Sequence, residues 1–271
     1  MSKIIAISNQ KGGVGKTTTC INLSAFLAAM GKTVLVVDLD PQGNATSGLG
    51  IEKKDTKNKS LFEVLVGDIT ADRAIKQTSV KGLHILPSSI DLVGADKELM
   101  NTESSEKVLR KALASIKNYY DFMFIDCPPS LSVLTVNALT AADSVLIPMP
   151  GEFFSLQGLA QLTNTIRLVK KHLNQGLDVE GVVLTIFDGR SNLANNVAEE
   201  VVKLFGKKVY ETKIPRNVRL GEAPSYGMPI MHYDPRSSGS VAYYYLSEEF
   251  LKRNNSKYTP ITNLSALRRR V

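Results

Sequence analysis

Short apolar, β-branched runs alternate along this chain with longer segments in which apolar residues recur at helical spacing. Lys3–Ser8 (KIIAIS) reads as a buried strand and Thr17–Met30 as the helix after it, stopped by Gly31. Thr33–Val37, Leu83–Leu86, Phe122–Ile125, Ser144–Pro148, Val179–Ile186 and Val209–Thr212 read as further strands. Ser104–Asn118, Leu156–Leu173, Leu193–Phe205 and Ser238–Lys252 carry the helical period. Ser60 with Glu63 three residues on has the spacing of a capping box and predicts a short helix. Strands and helices in alternation predict an α/β fold, a mainly parallel twisted sheet covered by helices on both faces. No repeat, low-complexity linker or compositional break divides the chain. One domain is expected over residues 1–254, with a basic, flexible tail at 255–271 rich in Asn, Ser, Thr and Arg.

Chemistry concentrates where the predicted strands end. The segment Ser8-Asn9-Gln10-Lys11-Gly12-Gly13-Val14-Gly15-Lys16-Thr17-Thr18 follows one strand and opens one helix, the context that a phosphate-binding loop needs. Glycines there let backbone N–H groups turn inward onto phosphate oxygens, and the helix N-terminus adds its partial positive charge. Lys16 is placed to reach β- and γ-phosphates and the Thr17 hydroxyl to bind Mg²⁺. The usual spacing puts the first glycine of such a loop at position 10, where this chain has Gln10, and a lysine follows at 11. Like charges side by side are costly without a polyphosphate to share. Lys11 therefore serves either its own nucleotide or a neighbour's, as fingers supplied in trans do. Asp38, Asp40 and Asp126 also fall at predicted strand C-termini, the edge at which parallel α/β sheets bind ligands. A carboxylate there can hold Mg²⁺ or orient water; Asp38 reads equally as a buried structural acid, whereas for Asp126 a turn former before Pro128 is the lesser alternative.

Composition narrows the setting. The chain has 271 residues, 43% of them hydrophobic, and no apolar run long enough to cross a membrane. The start lacks the features of a secretory signal, and Cys20 and Cys127 form no CxxC pair, which together suggest a reducing cytoplasm. The net charge of +7 is uneven: residues 1–150 hold 16 Lys+Arg against 15 Asp+Glu, whereas 151–271 hold 17 against 11. Lys203, Lys207, Lys208, Lys213, Arg216 and Arg219 form a cluster interrupted by Glu211 alone, suited to a phosphate backbone and not to base readout. His84, His172 and His232 show no metal-ligand spacing, and Tyr243–Tyr245 reads as packing.

The segment K-G-G-V-G-K-T-T at Lys11–Thr18 resembles the deviant Walker A signature of the ParA, Soj and MinD partitioning ATPases. Val37–Asn44 (VDLDPQGN), Phe124–Ser130 (FIDCPPS) and Ile214–Leu220 (IPRNVRL) resemble the ParA/Soj branch, and the similarity runs from residue 2 to about residue 252. That resemblance implies an ATP-dependent sandwich homodimer in which Lys11 crosses to the partner's nucleotide. It implies that Asp40 positions the attacking water and can reach the Mg²⁺, that Asp126 holds the Mg²⁺ shell through water, and that Pro215 and Asn217 line the adenine. Gly12, Gly13, Val14, Gly15 and Thr18 complete the nucleotide contacts. Arg190 and Arg219 match the positions that bind double-stranded DNA without sequence preference. The implied role is chromosome or plasmid segregation on the nucleoid, with slow ATP hydrolysis stimulated by a ParB/Spo0J-type centromere-binding protein. A MinD-like membrane-surface ATPase is the alternative, but Asn263–Val271 offers too few apolar residues for an amphipathic anchor. A redox relative sharing a cluster across the dimer would need thiolates that Cys20 and Cys127 do not supply in the expected places.

Overall fold

The interior strands of this protein have two apolar faces, and that alone calls for helices on both sides of the sheet. The computed structural model describes residues 2–100 and 104–267. Seven strands, β1 (Lys3–Ile7), β2 (Val34–Asp38), β3 (Lys76–Gln77), β4 (Leu83–Leu86), β5 (Phe122–Asp126), β6 (Ser144–Pro150) and β7 (Asp178–Thr185), lie in the order β3-β4-β2-β5-β1-β6-β7. All neighbours pair in parallel except the two-residue edge strand β3. Alternate residues divide cleanly between the faces. Ile5, Ile7, Val34, Val36, Phe122 and Phe124 pack under the Lys16–Ala29 and Ser238–Arg253 helices. Ile4, Ala6, Leu35, Val37, Met123 and Ile125 pack under the helices Val108–Ala114, Val133–Ala141, Phe154–His172 and Asn192–Phe205.

The register brings the chemistry to one edge. Ile7 at the end of β1 lies opposite Asp126, and Asp126 lies opposite Asp38 of β2. The loop after β1 and both carboxylates thus emerge side by side, at the strand ends where such sheets bind ligands.

Two expected elements differ. The helix over Ser104–Asn118 is interrupted: turns at Ser105–Lys107 and Lys117–Tyr119 flank a helix of only Val108–Ala114. A carboxamide from the neighbouring helix explains the break. Asn137 Nδ2 donates to the Ser105 carbonyl (2.8 Å) while its Oδ1 accepts the Leu109 N–H (3.1 Å). Those two backbone groups, four residues apart, would otherwise bond each other in a continuous helix. The strand expected at Val209–Thr212 is a single bridge, Val182 to Val209. The Glu249 carboxylate accepts both the Glu211 and the Thr212 N–H at 2.9 Å and so withdraws them from the ladder. The Ser60–Glu63 capping box forms as expected and opens the Leu61–Val66 helix. The Val133–Ala141 helix carries no amphipathic signal, because it is buried over most of its surface.

After the Ser238–Arg253 helix the chain turns back: the Thr259 N–H donates to the Met30 carbonyl (3.2 Å), and Tyr258, Ile261 and Leu264 pack against the core. The basic residues Arg268–Arg270, counted above in the tail, lie outside the described residues.

Candidate nucleotide site

The loop after β1 is shaped by residues that hold its backbone open. Asn9 is buried; its Nδ2 donates to the Pro148 carbonyl (2.8 Å) and its Oδ1 accepts the Lys11 N–H (3.0 Å). Gly13 and Gly15 take left-handed backbones, φ 72° and 85°, which favour glycine. A side chain at Gly12 or Gly13 would meet nothing within 4 Å, so the space before the loop is free for a ligand. Thr185, at the end of β7, fixes the loop from the far side by donating its hydroxyl to the Val14 carbonyl (2.7 Å).

Charged groups converge on that space. Lys16 is only 7% exposed and its ammonium donates to the Lys11 carbonyl (3.2 Å). Burial pulls its pKa down, and nearby Asp126, Cys127 and Asp40 oppose the fall. Asp126 is fully buried, and its carboxylate oxygens have no well-formed hydrogen bond, with only the Thr17 hydroxyl alongside at poor geometry. Burial, and then the adjacent Asp38, push its pKa well up, while the Thr17 hydroxyl and the Lys16 ammonium counter only part of the rise. An unpartnered buried carboxylate beside a hydroxyl and an ammonium fits a site that takes a metal–polyphosphate complex.

Asp38 is different in kind. Its Oδ2 accepts the Thr46 N–H and hydroxyl, both at 2.7 Å, and its Oδ1 accepts the Asp40 N–H (3.3 Å). Burial raises its pKa to about 6. These bonds fit the structural reading of Asp38, as an anchor of the Asn44–Gly48 turn of helix beneath the site. Asp40 borders the open space, with Oδ1 accepting the Gln42 N–H (3.0 Å) and its carbonyl accepting the Ser88 hydroxyl (2.6 Å).

A cleft of about 820 Å³ joins these groups to a second wall. Gly12, Gly13, Lys16, Thr17, Thr18 and Asp40 line one side, and Pro215 and Asn217 the other. Asn217 caps the Val218–Glu222 helix, its Oδ1 accepting the Arg219 N–H (2.9 Å) while its Nδ2 donates to Ser238 Oγ (2.7 Å). Lys11 stands outside: its ammonium pairs with Glu152 Oε2 at 2.6 Å, both side chains being solvent-accessible. Arg190 and Arg219 also lie outside, each held by acids, Arg190 by Asp188 and Arg219 by Glu222 and Asp234. Several lining residues escaped the reading of the sequence, among them Ile21, Val93, Thr185, Ile186 and Tyr243. Thr185 lies 3.7 Å from the position of a Cβ on Gly15, Ile186 borders the cleft with φ 50°, and Tyr243 lines its floor with its hydroxyl 3.0 Å from that of Thr19. Only the phosphate loop has a spacing that reveals such residues; these three carry no motif.

Fold and site together define a P-loop ATPase, and a family model described as an AAA domain matches residues 2–179. The chain is 58% identical over 249 residues to the sporulation initiation inhibitor protein Soj of Bacillus subtilis, covering 92% of this chain and 98% of that one. It is 51% identical over 257 residues to the chromosome partitioning protein ParA of Myxococcus xanthus, covering 95% and 90%. The chain belongs to the ParA/Soj family of chromosome-partitioning ATPases. Among solved structures it is similar to cobyrinic acid a,c-diamide synthase of Mycobacterium smegmatis with bound ADP and magnesium, at TM-score 0.82 and 35% identity, covering 97% of this chain and 100% of that one. It is also similar to the septum site-determining protein MinD of Pyrococcus horikoshii complexed with Mg-ADP, at TM-score 0.76 and 29% identity, covering 92% and 96%. No helix among the described residues is long and apolar enough to cross a membrane.

Proposed function

We propose that the chain is a nucleotide-switched partitioning ATPase. It binds ATP with Mg²⁺, closes into a homodimer, holds double-stranded DNA without sequence preference and drives chromosome or plasmid segregation with a ParB/Spo0J-type partner. The observation that carries this reading is the Asp126 carboxylate, buried and unpartnered beside Lys16 and Thr17. Solved relatives that hold ADP or an ATP analogue with magnesium support the choice of ligand.

Each residue then has a task. The amides of Gly12–Thr17 and the Lys16 ammonium bind the phosphate oxygens. The Thr17 hydroxyl, and Asp126 through water, would hold Mg²⁺, which when bound would supply countercharge to the phosphate oxygens. Asp40, one oxygen fixed by Gln42, orients the attacking water with the other. Pro215 and Asn217 form the wall against the base. Lys11 leaves Glu152 and reaches the partner's nucleotide, so hydrolysis is slow until the dimer and its partner protein assemble. Arg190 and Arg219, with the lysines between residues 203 and 213, bring positive charge to a phosphate backbone. ATP acts as a switch because it binds the dimer better than the monomer. The chain thereby works in the cytoplasm, on the nucleoid. The membrane-surface reading draws less support, since identity to the archaeal MinD is 29% against 58% to Soj.

The test is binding to a long non-specific duplex with ATP, with ADP and without nucleotide, at several salt concentrations. Binding that requires ATP and fades with salt is expected. Binding indifferent to nucleotide would reduce the basic residues to simple counterion attraction. No binding in any state would remove DNA as the partner while leaving the ATPase intact.

A further inference from the structure

One turn of chain adjoins the nucleotide cleft at one end and carries the exposed Arg190 at the other. It begins at Thr185, whose hydroxyl is bonded to the Val14 carbonyl of the phosphate loop. Ile186 follows in a left-handed conformation, φ 50°, which a β-branched residue adopts only under constraint, and it borders the cleft. Phe187 is pinned on the other side: its N–H donates to the Ile214 carbonyl (2.9 Å), the Lys213 ammonium stands 4.3 Å from its ring centre, and it clusters with Ala194 and Ala198. The next residue, Asp188, closes on Arg190. Its Oδ1 accepts Arg190 Nε and its Oδ2 accepts Arg190 Nη2, both at 2.9 Å, and Oδ1 also accepts the Arg190 N–H at 3.1 Å. The Arg190 side chain is otherwise in solvent, 91% exposed.

We propose that Asp188 is an internal competitor for Arg190, occupying in the resting chain the guanidinium fork that a DNA phosphate takes. This rests on reading the chain as a DNA-binding partitioning ATPase. A carboxylate and a phosphate offer the same two-oxygen geometry to a guanidinium, so one excludes the other from the Nε–Nη2 edge. The clasped pair is also neutral and gives a polyanion little to attract. Exposed pairs of this kind are weak, so the clasp is a threshold and not a lock. It sits three to five residues from a phosphate-loop contact, across a strained residue that borders the cleft, and there occupancy of the cleft can shift the turn. The Asp188 carboxyl is held at about 2 by the Arg190 bonds, so it stays ionised and competent to clasp at every physiological pH.

The experiment is a double-mutant cycle. Wild type, Asp188→Asn, Arg190→Ala and the double variant are titrated with a non-specific duplex, without nucleotide, with ADP and with ATP, across salt. At the lowest salt, where counterion attraction alone gives a weak nucleotide-free binding, Asp188→Asn should tighten that binding by about threefold to tenfold and steepen its salt dependence by about one ion. Its DNA-free ATP hydrolysis should be unchanged. The gain should vanish in the Arg190→Ala background. Weaker binding by Asp188→Asn would show that Asp188 positions Arg190 for DNA and would overturn the proposal. A gain that survives Arg190→Ala would overturn it too, as a general effect of charge. DNA binding by wild type that is indifferent to both variants refutes the clasp but keeps the DNA reading. Absence of binding by all four proteins removes the DNA reading and the clasp with it.

Discussion

The nucleotide cleft and the basic face treat charge in opposite ways. At the cleft, Lys16 is withdrawn from water, and Asp126, fully buried behind it, has no well-formed hydrogen bond. On the face, Arg190 and Arg219 are exposed and each is closed by an acid of its own chain. A buried unpaired carboxylate costs stability that an apolar side chain would not. Its presence marks a site kept unfinished for a ligand with its own charge. Exposed ion pairs contribute little either way and can be exchanged for another anion at small cost. The cleft is thus built to bind tightly and geometrically, the face to bind reversibly and electrostatically.

Lys16→Ala should sharpen this contrast most. It deletes the buried cation that faces the phosphates, and ATP affinity should fall by about 100-fold or more, read by calorimetry. A loss of only a few fold would place the cleft in the same weak regime as the face. Asp40→Ala comes next: ATP should still bind, while turnover measured by phosphate release drops about 100-fold. Retention of normal turnover would take the water-orienting role away from Asp40. Thr46→Val tests the support beneath the cleft. It removes the hydroxyl that donates to Asp38 and accepts the Ser88 N–H (2.9 Å), and should cost about 2 kcal/mol in a denaturant melt.

Changes at the face should be smaller. Arg219→Ala should weaken duplex binding by about threefold to tenfold and lower the salt slope by about one, with ATP turnover without DNA unaffected. A loss as large as that of Lys16→Ala would erase the distinction between the two regions. Smallest of all, removing residues 255–271 should leave ATP hydrolysis intact and lower the melting temperature by about 2–4 °C, because Tyr258, Ile261 and Leu264 leave the core.

What was legible in the sequence followed from local rules. The phosphate loop is one continuous segment between a strand and a helix, so Lys16 and Thr17 were identifiable from spacing alone. The strands of the sheet interior were visible as β-branched runs because burial on both faces selects such residues. What stayed hidden depends on partners distant in sequence. Asn137 breaks the helix around Ser105–Leu109 from 28 residues away or more, and Glu249 withdraws Glu211 and Thr212 from a strand across 37 or more. The left-handed Ile186 and the cleft-lining Tyr243 carry no motif either, since one is a matter of backbone and the other of which helix face meets the floor. Asp38 and Asp126 look alike in the sequence, each ending an apolar strand. Thr46, eight residues on, together with the Asp40 N–H, distinguishes the satisfied acid from the unsatisfied one.

The most direct measurement is the mass in solution of the Asp40→Ala protein with Mg²⁺–ATP, with Mg²⁺–ADP and with neither, by sedimentation. A cleft completed by ligand, with Lys11 released from Glu152 to cross to a second chain, gives a stable two-chain species with ATP and single chains with ADP or without nucleotide. Single chains with ATP demonstrably bound would contradict it, and would leave a nucleotide site whose occupancy does not switch assembly.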